Sequence, residues 1–105
     1  MATFKNAAIA VGTTDTTVYT CPSGKTAIIH AVFFSNLTTN SITVSLKVYD
    51  NSVTTNFTLL KDIIIPANSS LQIEKPINLE ASDVVKVSCS SASSSEVFLS
   101  VLEND

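Results

Sequence analysis

"SITVSLKVYD", Ser41 to Asp50, alternates without interruption: Ile42, Val44, Leu46 and Val48 fall on one face, Thr43, Ser45, Lys47 and Tyr49 on the other. A period of two is that of a strand with one buried and one wet face. The same period recurs on both sides of this segment. In "DVVKVSCS" it sets Val85, Val87 and Cys89 against Val84, Lys86 and Ser88, and in "EVFLSVLE" it lines up Val97, Leu99 and Val101. Phe98 and Leu102 make the second face of that last segment partly apolar as well. "KTAIIHAVFFS" is apolar on both faces, Ile28, Val32 and Phe34 alternating against Ile29, Ala31 and Phe33, which suits a strand central to a sheet or covered by another chain.

Four further segments, "TFKNAAIAV", "TTVYTC", "NFTLLKDIIIP" and "SSLQIEKP", bring the expectation to about eight short strands with turn residues every ten or so positions. No window carries apolar residues at helical spacing behind a cap, and "NLEASD" is one turn at most. "SCSSASSSE" reads as a small-residue hairpin loop. The fold class expected is all-β, an antiparallel β-sandwich with jelly-roll or immunoglobulin-like wiring both open. Residues 1–105 are expected to form a single sandwich domain.

Composition narrows the function. The chain is 45% hydrophobic and 14% charged, enough apolar surface to offset the entropy of ordering. Its net charge of −3 and its scattered basic residues argue against a nucleic-acid groove or an anionic membrane surface. No apolar run approaches the length of a membrane span, and the N-terminal segment is a poor secretory signal, so synthesis and folding in a cytoplasm are expected. Cys21 and Cys89 have neither metal-ligand nor C-x-x-C spacing and read as two buried free thiols, a disulfide being the alternative.

The stretch that most resembles chemistry is "CPSGKT", Cys21 to Thr26. A phosphate-binding loop needs a glycine five positions before Gly24, where this chain has Tyr19, and a helix after it, where this chain has a strand. A thiol nucleophile at Cys21 would need a basic partner, and the lone His30 alternates with core residues, as a hydrogen-bonded histidine of a β face would. One histidine cannot build a zinc site. The carboxylates of Asp15, Asp50, Asp62, Glu74, Glu80 and Asp83 mostly fall at strand ends and turns, and Glu103 and Asp105 belong to the C-terminal tail. The hexapeptide is therefore a turn, with Pro22 at its second position, Ser23 at its third and Gly24 taking a positive φ. No catalytic, cofactor-binding or metal-binding residue is assigned, and no enzyme is expected.

"TTVYTCPSGKTAIIHAVFFSN", Thr16 to Asn36, resembles a recurrent pattern of small virion proteins of tailed bacteriophages, commonly those of cyanobacteria and other marine bacteria. There "YTxPxGKTAxI" leads into a long strand ending at an Asn, here Asn36, followed by a polar hairpin and a "VxLKV" strand. "IPANSSLQIEKPINLEASDVVKVSCSSASSSEVFLSVLE" continues the likeness over nearly the whole chain. It departs at Cys21, where the pattern has an apolar residue, and at Ser82, where "LEAGD" has a glycine. If that position needs a positive φ, Ser82 costs about 1 kcal/mol.

The resemblance implies a β-sandwich virion structural protein without cofactors, most directly a capsid decoration or cement protein that binds the major capsid protein or other virion proteins. It would act as a symmetric oligomer, taken as a trimer, and be located in the virion. A neck, tail or fibre component and a host-surface carbohydrate-binding module are the alternatives. The flexible N-terminal "MATFKN", loops and edge strands are the expected contact surfaces, and the two-sided apolar strands leave surface that association would hide.

Overall fold

The computed structural model describes residues 2–105, which form nine strands and no helix. In chain order these are β1 (Ala2–Ala10), β2 (Thr16–Thr20), β3 (Thr26–Asn36), β4 (Ile42–Asp50), β5 (Thr55–Ile65), β6 (Ser70–Ile73), β7 (Ile77–Leu79), β8 (Val84–Cys89) and β9 (Ser95–Asn104). They make two antiparallel sheets. The larger runs β1-β9-β3-β6, with β7 also on β3, and the smaller runs β2-β8-β4-β5.

Strand order decides between the two wirings. β6 pairs with residues 32–35 of β3 and β7 with residues 27–29, so the two are halves of one strand interrupted before Pro76, which has no N–H to continue the ladder. Counted as one, the strands nest: first with last (β1 and β9), second with next to last (β2 and β8), then β3 with β6 and β7, then β4 with β5. Nesting of this kind, distributed over two sheets, is a jelly roll. β4–β5 is its one hairpin between complete strands; the Ser90–Ser94 loop and the polar segment after Asn36 cross from one sheet to the other and are not hairpins.

The inward rows meet as alternation predicts. Val97, Leu99 and Val101 of the larger sheet face Val44, Leu46, Val85 and Val87 of the smaller one, all 1% exposed or less. β3 is the exception. A bulge at His30, between Ile29 and Ala31, adds a residue and reverses the phase. Ala27 and Ile29 point inward before it, Val32 and Phe34 after it, while Ile28, Ala31 and Phe33 turn outward. His30 is thus exposed on the outer face and does not alternate with the core as expected.

Where β3 crosses to the smaller sheet, Asn36 ends it as a buried hub. Its Nδ2 donates to the carbonyls of Asn40 (2.8 Å), Ile65 (3.0 Å) and Pro66 (3.1 Å), and its Oδ1 accepts from the N–H and hydroxyl of Thr38 (2.9 and 2.8 Å). One amide closes the β3–β4 loop and pins the end of β5 to it.

The stretch Cys21–Thr26 is a turn, moved one residue from the expected position: Lys25 N–H donates to Pro22 O (3.2 Å), Pro22 comes first, and Gly24 takes φ 78° at the third place. A second turn, Glu80–Asp83, lies beside it, with Ser82 at φ 70° in the corresponding place. Cys21 N–H donates to Asp83 O and Ser82 N–H to Cys21 O, each 2.9 Å, so the turns form one unit.

Asn36→Ala is expected to cost about 3 kcal/mol in chemical denaturation, because three carbonyls and the N–H and hydroxyl of Thr38 lose their partner. Ser82→Gly is expected to stabilise by about 0.5 kcal/mol. Relief of roughly 1–2 kcal/mol of left-handed strain is partly offset by roughly 0.4–1 kcal/mol of extra freedom in the unfolded chain.

Candidate docking surface

The two outer faces differ in chemistry. That of the smaller sheet is mostly polar: Lys47 pairs with Asp15 at 3.1 Å, Ser45 bonds to Asp62, and Lys86 Nζ sits 5.1 Å over the Tyr49 ring, with Ile64 opposite Thr43 as its exposed apolar exception at the β5 edge. That of the larger sheet is apolar. Register places Ala8, Phe98 and Phe33 in one row across β1, β9 and β3, and Phe4, Leu102 and Ile28 in a second. Phe4 is 77% exposed, Phe98 44% and Phe33 36%. His30 lies against Phe4, ring centroids 6.3 Å apart.

Beside the Phe33–Phe98 pair is a shallow depression of about 440 Å³, lined by Ala8, Phe33 and Phe98 with Ser35, Ser70 and Glu96 around them. Its floor is side chains of the larger sheet, and the Ser35 hydroxyl is spent on the Glu96 carbonyl at 3.3 Å. Catalysis needs a nucleophile, a base and an oxyanion donor converging on one point, and this surface has no such set. A broad aromatic face suits docking against another apolar surface.

The residues that looked most chemical are dispersed. Cys21 is in the core, its thiol pushed up by burial and then by the nearby carboxylates of Glu103 and Asp83, the opposite of an activated nucleophile. His30 is on the outside, so the two make no pair. Cys89 is likewise buried and free. Among the described residues Asp50, Glu80 and Asp83 have carboxylates within 4.8 Å of one another. These oxygens hold turns: Asp83 accepts the N–H groups of Asn51 (3.0 Å) and Glu80 (2.9 Å), and Asp50 accepts the N–H and hydroxyl of Ser52.

One ionisable cluster escaped the sequence reading. Glu103 is not part of a solvated tail but is 2% exposed, and its Oε2 accepts the Tyr19 hydroxyl at 2.5 Å, joining β9 of one sheet to β2 of the other. Its Oε1 lacks a well-aligned hydrogen-bond donor and is held by charge, with Lys5 Nζ at 3.1 Å and Lys25 Nζ at 3.7 Å. The Tyr19 bond and then the lysines hold its carboxyl below the usual range against the opposing effect of burial. Burial, followed by the Glu103 bond, drives the Tyr19 phenol well above its ordinary value. The signal was present in the alternation, since Glu103 is in phase with Val97, Leu99 and Val101.

No family model matches the chain, and no curated protein matches it. Several solved structures do. A subunit of Bacillus endospore appendages, described as disulfide-linked pili, is 14% identical with a TM-score of 0.60, over 98% of this chain and 85% of that one. The acid-stable capsid of Helicobacter pylori bacteriophage KHP30 gives 16% identity and a TM-score of 0.55, over 97% and 86%. A particle protein of infectious bursal disease virus gives 8% and 0.57, and there the match spans 97% of this chain but 30% of the other. At these identities the likeness is one of fold: the chain has an all-β sandwich also used by capsid and pilus proteins.

Tyr19→Phe is expected to cost about 2 kcal/mol, the worth of a hydrogen bond to a charged acceptor. Because the folded carboxyl of Glu103 lies below its ordinary value near 4.5, its stabilisation is complete above that pH and is lost as pH falls through the lower folded value. Urea melts between neutral and strongly acid pH should therefore show a steeper acid loss in the native chain than in Glu103→Gln.

Proposed function

We propose that this chain is a virion structural protein, a jelly-roll subunit that binds other virion proteins through the outer face of its larger sheet. In its most specific form it is a capsid decoration or cement protein that clamps subunits of the major capsid protein as a homo-oligomer, with no catalytic role. The observation that carries the reading is the contrast between an outer face bearing two rows with Phe4, Phe33 and Phe98 and the mostly polar face opposite, whose exposed apolar residue Ile64 stands at its edge. A shell or tail component needs such a surface and no pocket. The capsid proteins among the fold neighbours support the setting.

Two other readings are weakened by particular side chains. A carbohydrate module would offer flat Tyr or Trp platforms, but Tyr49 is covered by Lys86, the Tyr19 hydroxyl is engaged by Glu103, and the chain has no Trp. A pilus held together by disulfides would need reachable thiols, whereas Cys21 and Cys89 are buried.

The test is the copy number of this protein relative to the major capsid protein in purified particles, by quantitative mass spectrometry. Hundreds of copies are expected for a decoration protein. A few to a few dozen would assign it to the neck, tail or fibres, and absence from particles would overturn the virion reading. Phe33→Ser with Phe98→Ser should reduce particle occupancy on the order of tenfold while the purified protein stays folded, because the loss falls on a docking face.

A further inference from the structure

Every open sheet must deal with its edges, where unpaired N–H and C=O groups invite another strand. Most edges here are blunted. β5 is interrupted by two register shifts, β2 has five residues and a shift of its own, and β6 and β7 have four and three residues. β1 is different. It runs for nine residues in unbroken register with β9, contains no Pro or Gly, and carries a single charge, Lys5. The segment "MATFKN" is expected from the sequence to be a flexible contact segment; its residues 2–6 are part of strand β1, and Met1 lies outside the described residues.

The orientation of its free groups follows from one hydrogen bond. Val11 N–H donates to Ser95 O at 2.9 Å, in continuation of the β1–β9 register. Odd-numbered residues therefore direct their main-chain groups to β9, and Ala2, Phe4, Asn6, Ala8 and Ala10 direct theirs to the open edge.

We propose that β1 pairs antiparallel with β1 of a second copy about a two-fold axis at Asn6, joining two larger sheets into one continuous sheet. The sequence "ATFKNAAIA" is complementary to its own reverse. About this centre Phe4 opposes Ala8 of the second copy, Lys5 opposes Ala7, Thr3 opposes Ile9, Ala2 opposes Ala10, and the two Asn6 side chains meet on the axis. Large side chains fall against small ones, and no like charges lie directly opposite. Each Lys5 remains neutralised by Glu103 of its own chain at 3.1 Å.

The same register accounts for the most exposed aromatic of the chain. Phe4, 77% exposed, would lie beside Ala8 of the second copy. The outer face would then carry an unbroken apolar row across the joint: Phe33, Phe98 and Ala8 of one copy, then Phe4, Leu102 and Ile28 of the other. About ten main-chain hydrogen bonds form, two for each bonded pair along the strand. Because the contact is two-fold it closes, consuming the edge that would otherwise seed open-ended association.

Sedimentation of the purified chain and of Asn6→Pro tests this. Proline at position 6 removes an N–H that faces the open edge, so the monomer loses no internal bond. The native chain should sediment as a dimer of about twice its 11.1 kDa. Asn6→Pro should raise the dimer Kd at least about tenfold with circular dichroism unchanged, and Ile64→Lys, on the β5 edge, should leave the dimer intact. If Asn6→Pro loses its fold, Phe4→Asp carries the same expectation. A native monomer, a trimer, or a dimer that survives both β1 variants overturns the pairing. The measurement is made on the isolated chain, so its failure leaves the particle-docking role of the outer face standing.

Discussion

The hydrogen-bonding of β9 to β1 on one side and β3 on the other, along nearly its full length, is the constraint from which the rest of the molecule follows. It makes the last strand of the chain the middle of the larger sheet. The first strand has nothing to pair with until the last has been made, and β3 cannot be closed into a sheet by its sequence neighbours, since β2 and β4 are both in the other layer. Most of the contact is therefore between distant parts of the chain, the β4–β5 hairpin excepted. Such topologies need large loops to close before any contact is gained, and they fold slowly for that reason. The side chains along β9 have to make the closure worthwhile. Val97, Leu99 and Val101 are buried to 1% exposure or less in a core cluster drawn from both sheets.

A buried carboxylate at the end of that row is then less odd than it first looks. Glu103 sits in the inward row of β9 between Thr3 of β1 and the buried Ala27 of β3, facing Tyr19 of the other sheet. It takes the Tyr19 hydroxyl from the opposite sheet and lies beside two ammonium groups, so the layers are joined here by a directed bond as well as by packing. Buried charge is tolerated only with such partners. Lys5 contributes from β1, so the edge strand is tied to the core by charge as well as by its ladder.

How much of this was legible depended on whether a feature is local. Alternation in β4, β8 and β9 gave the inward rows residue by residue, and the "CPSGKT" turn followed from Pro and Gly alone. The exceptions are where one residue changes phase or partner. At His30 a single inserted residue reverses which of Ile28 and Ile29 is buried, and nothing in "AIIHAVFF" marks it, because both faces are apolar. The Ser90–Ser94 and Asn36–Ser41 segments look like hairpins because turn residues report that a chain bends, not which sheet it bends toward. Glu103 was legible and missed, since a charged residue near a terminus was given to solvent although its phase placed it inside.

The bulge at His30 also decides which side chains line the outer face of the larger sheet. Had β3 kept a single phase throughout, Ile28 would share its face with Val32 and Phe34, and Phe33 would lie with Ile29. Reversal at His30 instead gathers Ile28, Ala31 and Phe33 on the outside while Ile29, Val32 and Phe34 fill the core. The outward set then falls in register with Leu102 and Phe98 of β9, and through them with Phe4 and Ala8 of β1. One extra residue thus aligns three strands' worth of outward apolar side chains into two rows. An extended apolar face opposite a mostly polar one is a cost in solubility with no benefit to the fold itself. Its physical sense lies in contact with another protein surface, which is the role proposed for it.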